Sequence, residues 1–419
     1  MTNKTMREEI LSNLHNPKQL EKLYRGNKTP FKREFNQLYP QMKGNIVADY
    51  WNERLHYESE EISWGSRNEF LFVLIAALIA GTMAKLPALF AIPEEYFYPR
   101  NIGFLVFPFL SAYFAWKNGL GVSKILYLAG AIVMCLVYVN LLPNNLKSDT
   151  LILACLHLPL LLWVILGVTF VGHELNNYKK QLEFLRFNGD LAVMTALLLI
   201  AGGIMTAITI GLFSLIGYKI EQFYAEYIVA FALPAVPIMA SYLTQTNPQL
   251  VNKVSPVIAR IFSPLVLVML VIYLGAIIFS GKDPYNDREF LLLFNVLLVG
   301  VMALIFFSVA ENSIKSTSTS GVWVLLLLSI VTVIVNGIAL SAISFRISEW
   351  GITPNRVAIL GSNVLMLVHL LLVTMMLLKT VTRKTALTQV GRAITFYLPI
   401  YFIWTIVVVF LFPLVFSFK

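Results

Sequence analysis

Charge is scarce in this chain. Only 13% of its 419 residues are Asp, Glu, Lys or Arg, about half the share found in soluble globular domains. Hydrophobic residues make up 58%, against the ~45–50% of such domains. A chain so short of charge cannot clothe a water-facing surface of this size. That excludes a soluble enzyme and points to a polytopic membrane protein. Cysteine is almost missing: Cys135 and Cys155 both lie inside apolar runs, which argues against a disulfide framework and a thiolate metal site. The five histidines are scattered, and His173-Glu174 continues as Leu-Asn-Asn, so the zinc-protease pattern H-E-x-x-H is not met. G-x-x-x-x-G-K-[ST], G-x-G-x-x-G and G-x-S-x-G do not occur. Nothing here assigns a cofactor, a metal, a catalytic residue or a nucleic-acid partner.

What the chain does have is long apolar runs. A membrane span needs ~20 such residues, and eleven stretches qualify: 70–92, 101–117, 122–142, 150–172, 190–217, 223–244, 257–280, 289–310, 320–345, 354–378 and 393–416. The second is short enough to be tilted or re-entrant. The fold expected is an all-α transmembrane bundle of about eleven spans over residues 69–419, preceded by a small helical region, 1–68. The polar opening carries no cleavable signal peptide, so the first span is expected to act as its own insertion signal. With the N-terminus cytoplasmic, 23 of the 32 Lys and Arg fall on the inner side, eight fall outside, and Lys85 lies within a span. Positively charged loops stay inside, so the pattern predicts a cytoplasmic N-terminus, an external C-terminus and the lipid bilayer as the first partner.

Residues 1–68 show helical spacing at Phe31, Phe35, Leu38, Met42 and Ile46, broken by Asn-Pro, Arg-Gly-Asn and Tyr-Pro. Several short amphipathic helices are expected. So few residues rarely support an independent core, which predicts docking on the membrane face or the bundle with Trp51 and Tyr50 covered. The alternative is an arm that binds a protein partner.

The most informative stretch is RISEWGITPNR, Arg346 to Arg356. Gly351 is placed to take the left-handed position that ends a helix. Thr353 can cap the next helix, and Pro354 suits its first turn. The charges need another reason. Glu349 sits at a helix C-terminus and Arg356 near a helix N-terminus, each the wrong sign for its end. A Glu349–Arg356 pair is therefore expected, with Arg346 as a third member or free. Three readings stay open: a pinned turn, a site for an anionic lipid head group or small solute, and ion coupling.

R-x-x-E-x-G-x-T-x-x-R opening a late span, here Arg346, Glu349, Gly351, Thr353 and Arg356, resembles the signature of a bacterial family of multi-pass inner-membrane proteins defined only as a domain of unknown function. FLRFNGDL, Phe184 to Leu191, resembles a second feature of that family, lying just before a span. The likeness covers roughly residues 70–416, with Trp350 where members often carry Tyr. It implies a multi-pass inner-membrane protein and supplies no activity.

Ionisable groups inside a membrane mark functional positions by default. Lys85, just before Pro87, either snorkels outward or turns inward toward a carboxylate. His157 and His369 read as hydrogen-bonded histidines of the bundle, and Asn140, Asn295, Asn336 and Asn363 as interhelical hydrogen bonders. Glu174, Asp190 and Glu311 read as interfacial charges beside Lys179, Lys180, Arg186 and Lys315. The binding residues expected are thus Arg346, Glu349, Arg356 and Lys85. The function expected is that of a transporter for a small or amphipathic solute. The alternatives are a non-catalytic component of an envelope or signalling assembly and a lipid-modifying enzyme, the last without an evident nucleophile. Oligomeric state is not legible.

Overall fold

The computed structural model describes residues 3–26, 28–56, 65–145, 147–252, 254–280, 285, 288–312 and 319–418. Among them every regular element is helical. Two compact units divide the chain, Met1–Ser63 and Trp64–Lys419.

The first unit holds α1 (Asn3–Ser12), α2 (Pro17–Gly26), α3 (Lys28–Met42) and α4 (Ile46–His56). Their spacing places Phe31, Phe35, Leu38 and Met42 on the inner face of α3. Trp51 packs there too, its ring 5.2 Å from Phe31. Ile46 is 72% exposed, off the face its spacing predicts, and Tyr50 is 73% exposed. The α3 periodicity does not carry past Gly44, whose φ of 96° turns the chain. Asp49 ties that turn, accepting from the Tyr39 hydroxyl at 3.1 Å and the Gly44 amide at 3.3 Å. Partial burial and that bond push the Tyr39 phenol above its ordinary range.

The second unit begins with α5 (Arg67–Ala84), which Ser66 caps. It continues through α6 (Leu86–Phe90), α7 (Glu94–Asn101), a 3₁₀ turn at Ile102–Leu105 and α8 (Phe107–Lys117). Then come α9 (Val122–Leu141), α10 (Asp149–Val171), α11 (Tyr178–Leu215), α12 (Glu221–Phe223), a π-helical turn at Tyr224–Val229 and α13 (Ala230–Thr246). α14 (Pro248–Asn252), α15 (Val254–Ser280), α16 (Arg288–Asn312), α17 (Thr319–Trp350) and α18 (Pro354–Val381) follow. α19 (Leu387–Ile406) leads through a π turn at Val407–Leu411 into α20 (Phe412–Val415). Among the described residues, ten helical stretches are long and apolar enough to cross a membrane. The chain is a multi-pass, all-α membrane protein.

The expected span 101–117 is not one of the ten. It is divided among the end of α7, the 3₁₀ turn and an eleven-residue α8 that Pro108 opens, because proline removes a backbone donor and collides with the preceding turn. Broken as it is, this stretch still runs the length of α5 in the opposite direction. The Tyr98 hydroxyl donates to the Ala84 carbonyl at one end, and at the other Glu69 accepts from Tyr113 at 2.6 Å and pairs with Lys117 at 3.4 Å. Glu69 to Ala84 spans ~22 Å at the helical rise. The end marked by Glu69 also receives Asn118, bonded to the carbonyls of Thr169 and Phe170. The opposite end gathers Tyr96 with Asn140, and Ser148 with the Phe418 carbonyl. These contacts put the start of α5 at one end of this unit and Phe418 at the other.

Candidate functional site

The turn between α17 and α18 forms from local rules. Gly351 takes a φ of 78° and its amide donates to the Ile347 carbonyl. The Thr353 side chain accepts from the Arg356 amide at 3.3 Å, and Pro354 stands in the first turn of α18. The expected Glu349–Arg356 pair does not form. Arg356 Nη1 instead donates to the carbonyls of Trp350 and Gly351, both at 2.7 Å, and Glu349 stays exposed. The reason is proximity to unspent acceptors. The last carbonyls of α17 have no partner within the helix, and their partial negative charge suits a cation arriving from the next helix. Arg346 is buried, with Nε bonded to the Tyr285 carbonyl at 2.8 Å. The indole of Trp350 receives both guanidinium groups, at 5.4 Å from Arg346 and 5.7 Å from Arg356. Such cation–π contacts are worth ~0.5–2 kcal/mol each. Lys85, at the end of α5, lies 4.6 Å from the ring of Tyr227, not beside a carboxylate.

FLRFNGDL lies inside α11, not ahead of it, and each polar residue in it has a defined neighbour. Asn188 accepts from the Trp163 indole at 2.8 Å and donates to the Phe184 carbonyl at 2.6 Å. Gly189 lets α16 approach: a Cβ there would overlap the Phe307 ring. Arg186 Nε bonds the carboxylate of Glu311 on α16 and stands 4.0 Å from Asp190. The Glu311 side chain is 1% exposed and that of Asp190 11%. These carboxylates were expected at the interface. They lie within the packing because Arg186, one turn before Asp190, reaches both. Lys315 falls outside the described residues. This cluster is what sequence reading undervalued. An Arg–Asp step at i, i+4 was visible, but Glu311 joins from 125 residues away.

A second polar group occupies the middle of the bundle. Asn336 on α17 and Asn363 on α18 are fully buried, and Asn336 Nδ2 donates to the Asn363 carbonyl at 3.3 Å. Asn336 Oδ1 and both side-chain polar atoms of Asn363 have no hydrogen-bond partner. Six residues further along α18, ~9 Å at the helical rise, His369 is also fully buried. Its Nδ1 lies 3.2 Å from the Tyr401 hydroxyl, which approaches Met302 Sδ at 3.6 Å. The rings of Tyr397 and Phe306 flank His369 at 4.5 and 4.6 Å. Met302, Phe306 and Glu311 share α16, so the histidine level and the ionic cluster are ~14 Å apart along that helix.

A line of buried polar groups therefore runs through α16–α19, from Asn336 and Asn363 past His369 and Tyr401 to Glu311, where Arg186 of α11 meets it. The four residues singled out by sequence, Arg346, Glu349, Arg356 and Lys85, do not converge. Three lie in one turn, and Lys85 belongs to a different contact set. Among the described residues no cluster of three His, Cys, Asp or Glu could hold a metal. No protein-family model, curated protein or solved structure matches the chain.

Proposed function

We propose that the chain is a transporter for a small or amphipathic solute, with its route along the α16–α19 polar line. One observation carries the reading: fully buried side-chain polar atoms at Asn336 and Asn363 without hydrogen-bond partners. In a medium without water each such group costs several kcal/mol. Membrane proteins keep polar side chains at depth where they line a pathway or meet a polar ligand. The charge bias supports a cytoplasmic location for the α5 start, and hence an external Phe418, in a bacterial inner membrane. The first unit then stands on the cytoplasmic side, where it is available to protein partners.

The test is uptake into proteoliposomes across a panel of radiolabelled small solutes, with protein-free vesicles as the reference. Flux above that reference, reduced at least tenfold by Asn363→Leu in a variant that still purifies as a folded protein, supports the proposal. Flux equal to empty vesicles for every solute rejects it.

A second reading has its own observation. The latter half of α11 is exposed on nearly every side, and Gly202, Gly203 and Gly211 have no neighbour within 4 Å. Small residues let membrane helices approach closely. This supports a non-catalytic component of a larger assembly, tested by crosslinking in the membrane with a photoreactive residue at position 207.

A further inference from the structure

Arg100 stands apart from everything described so far. Its side chain is among the largest fully buried ones, at 1% exposure. Nη1 donates to the Tyr96 carbonyl at 3.1 Å, and the guanidinium lies 4.1 Å from the centre of the Tyr96 ring. Nη2 donates to Asn144 Oδ1 at a long 3.3 Å, and Nε has no hydrogen-bond partner. None of these neighbours carries a charge, and among the described residues Arg100 forms no ion pair. A guanidinium carries a full positive charge. Buried without a counter-charge, it bears a desolvation cost that neutral dipoles offset only in part.

The pattern of donors is informative. Nε and Nη2 lie on one edge of the guanidinium, the edge that a carboxylate or phosphate bridges with two parallel hydrogen bonds. One donor on that edge is unused. The other is held by a residue that is itself exposed, in the short connection between α9 and α10. Behind it, Asn101 and Asn140 exchange amide hydrogen bonds at 3.1 and 2.9 Å and fix the floor. Exposed Lys147 lies on the same connection and adds to its positive charge.

We propose that Arg100 is the centre of an anion-binding site at the α7–α9–α10 end of the bundle, which takes a carboxylate or phosphate group in place of Asn144 Oδ1. The site stands independently of any transport activity. It differs from the α17–α18 turn, where Arg356 is engaged by backbone carbonyls.

The test uses the full chain in phosphatidylcholine nanodiscs. Inorganic phosphate and acetate are titrated at constant ionic strength against chloride, with calorimetry and thermal unfolding as readouts. A parallel set of nanodiscs contains phosphatidylglycerol. Saturable binding of phosphate or acetate identifies a free anion as the ligand. Stabilisation only with phosphatidylglycerol identifies a lipid head group. In either case Arg100→Gln should weaken binding at least tenfold. Asn144→Ala, which removes the competing acceptor and leaves the cation, should tighten it severalfold. No saturable response to any of the three probes overturns the proposal, as does binding undiminished in Arg100→Gln. Should Arg100→Gln fail to fold, Asn144→Ala decides alone: tighter binding supports the site, and unchanged or weaker binding rejects it.

Discussion

Arg186 serves two buried carboxylates, and this sets an order among substitutions. Arg186→Met takes the cation away from both Glu311 and Asp190, whereas Glu311→Ala leaves Arg186 with Asp190 at 4.0 Å and some access to water. Removing one partner of a buried pair costs ~3–5 kcal/mol. Glu311→Ala is expected at the lower end of that range and Arg186→Met at the upper end, measured by denaturant unfolding in mild detergent. The reverse order would mean that the cluster is not organised around Arg186. Sequence reading noted Asp190, Glu311 and Arg186 at span ends, but left them as interfacial charges. The sequence distance to Glu311 carries no periodic signal, so their burial was not legible. The mistaken Glu349–Arg356 pair has a related origin. Complementary charges are visible in a string of letters, and helix-end carbonyls, which every residue supplies, are not.

Helix termini obey local rules, and the α17–α18 turn was legible for that reason. Gly351, Thr353 and Pro354 each occupy the position that their backbone preferences dictate. Thr353→Ala removes a cap and should cost ~1 kcal/mol. Gly351→Ala places a Cβ at a φ of 78° and should cost ~1–2 kcal/mol. Both are read as lowered unfolding midpoints, and a change in neither would show that the turn contributes nothing to stability. Close helix packing was not legible. Gly189 looks like any glycine in a helix, yet it sets how near α16 can come. Gly189→Ala should cost ~1–3 kcal/mol through overpacking against Phe307, while Gly202→Ala, with open space around it, should be neutral or slightly stabilising by virtue of helix propensity. Equal effects at the two positions would refute the contact.

Composition alone revealed the membrane bundle, since no other class tolerates so little charge. The number of passages was harder to read, because the helix is interrupted ahead of Pro108 in the stretch 101–117 while its apolar character persists. An odd number makes a direct prediction about sidedness. Cys135 and Cys155 are buried, so Ser348→Cys on the exposed rim of the α17–α18 turn supplies a single accessible thiol. A membrane-impermeant maleimide should label it in intact cells, and labelling only after permeabilisation would invert the orientation. The contact between Ser148 and Phe418 has a further consequence, which concerns time. The two residues are 270 positions apart, and Tyr138 likewise waits for Phe410. At the ~5–20 residues per second of protein synthesis, the α9–α10 hairpin emerges roughly 15–55 s before the segment that closes over it. During that interval the hydroxyls of Ser148 and Tyr138 are without the carbonyls they bond in the finished protein. This end of the bundle is therefore completed only when the last residues of the described chain arrive.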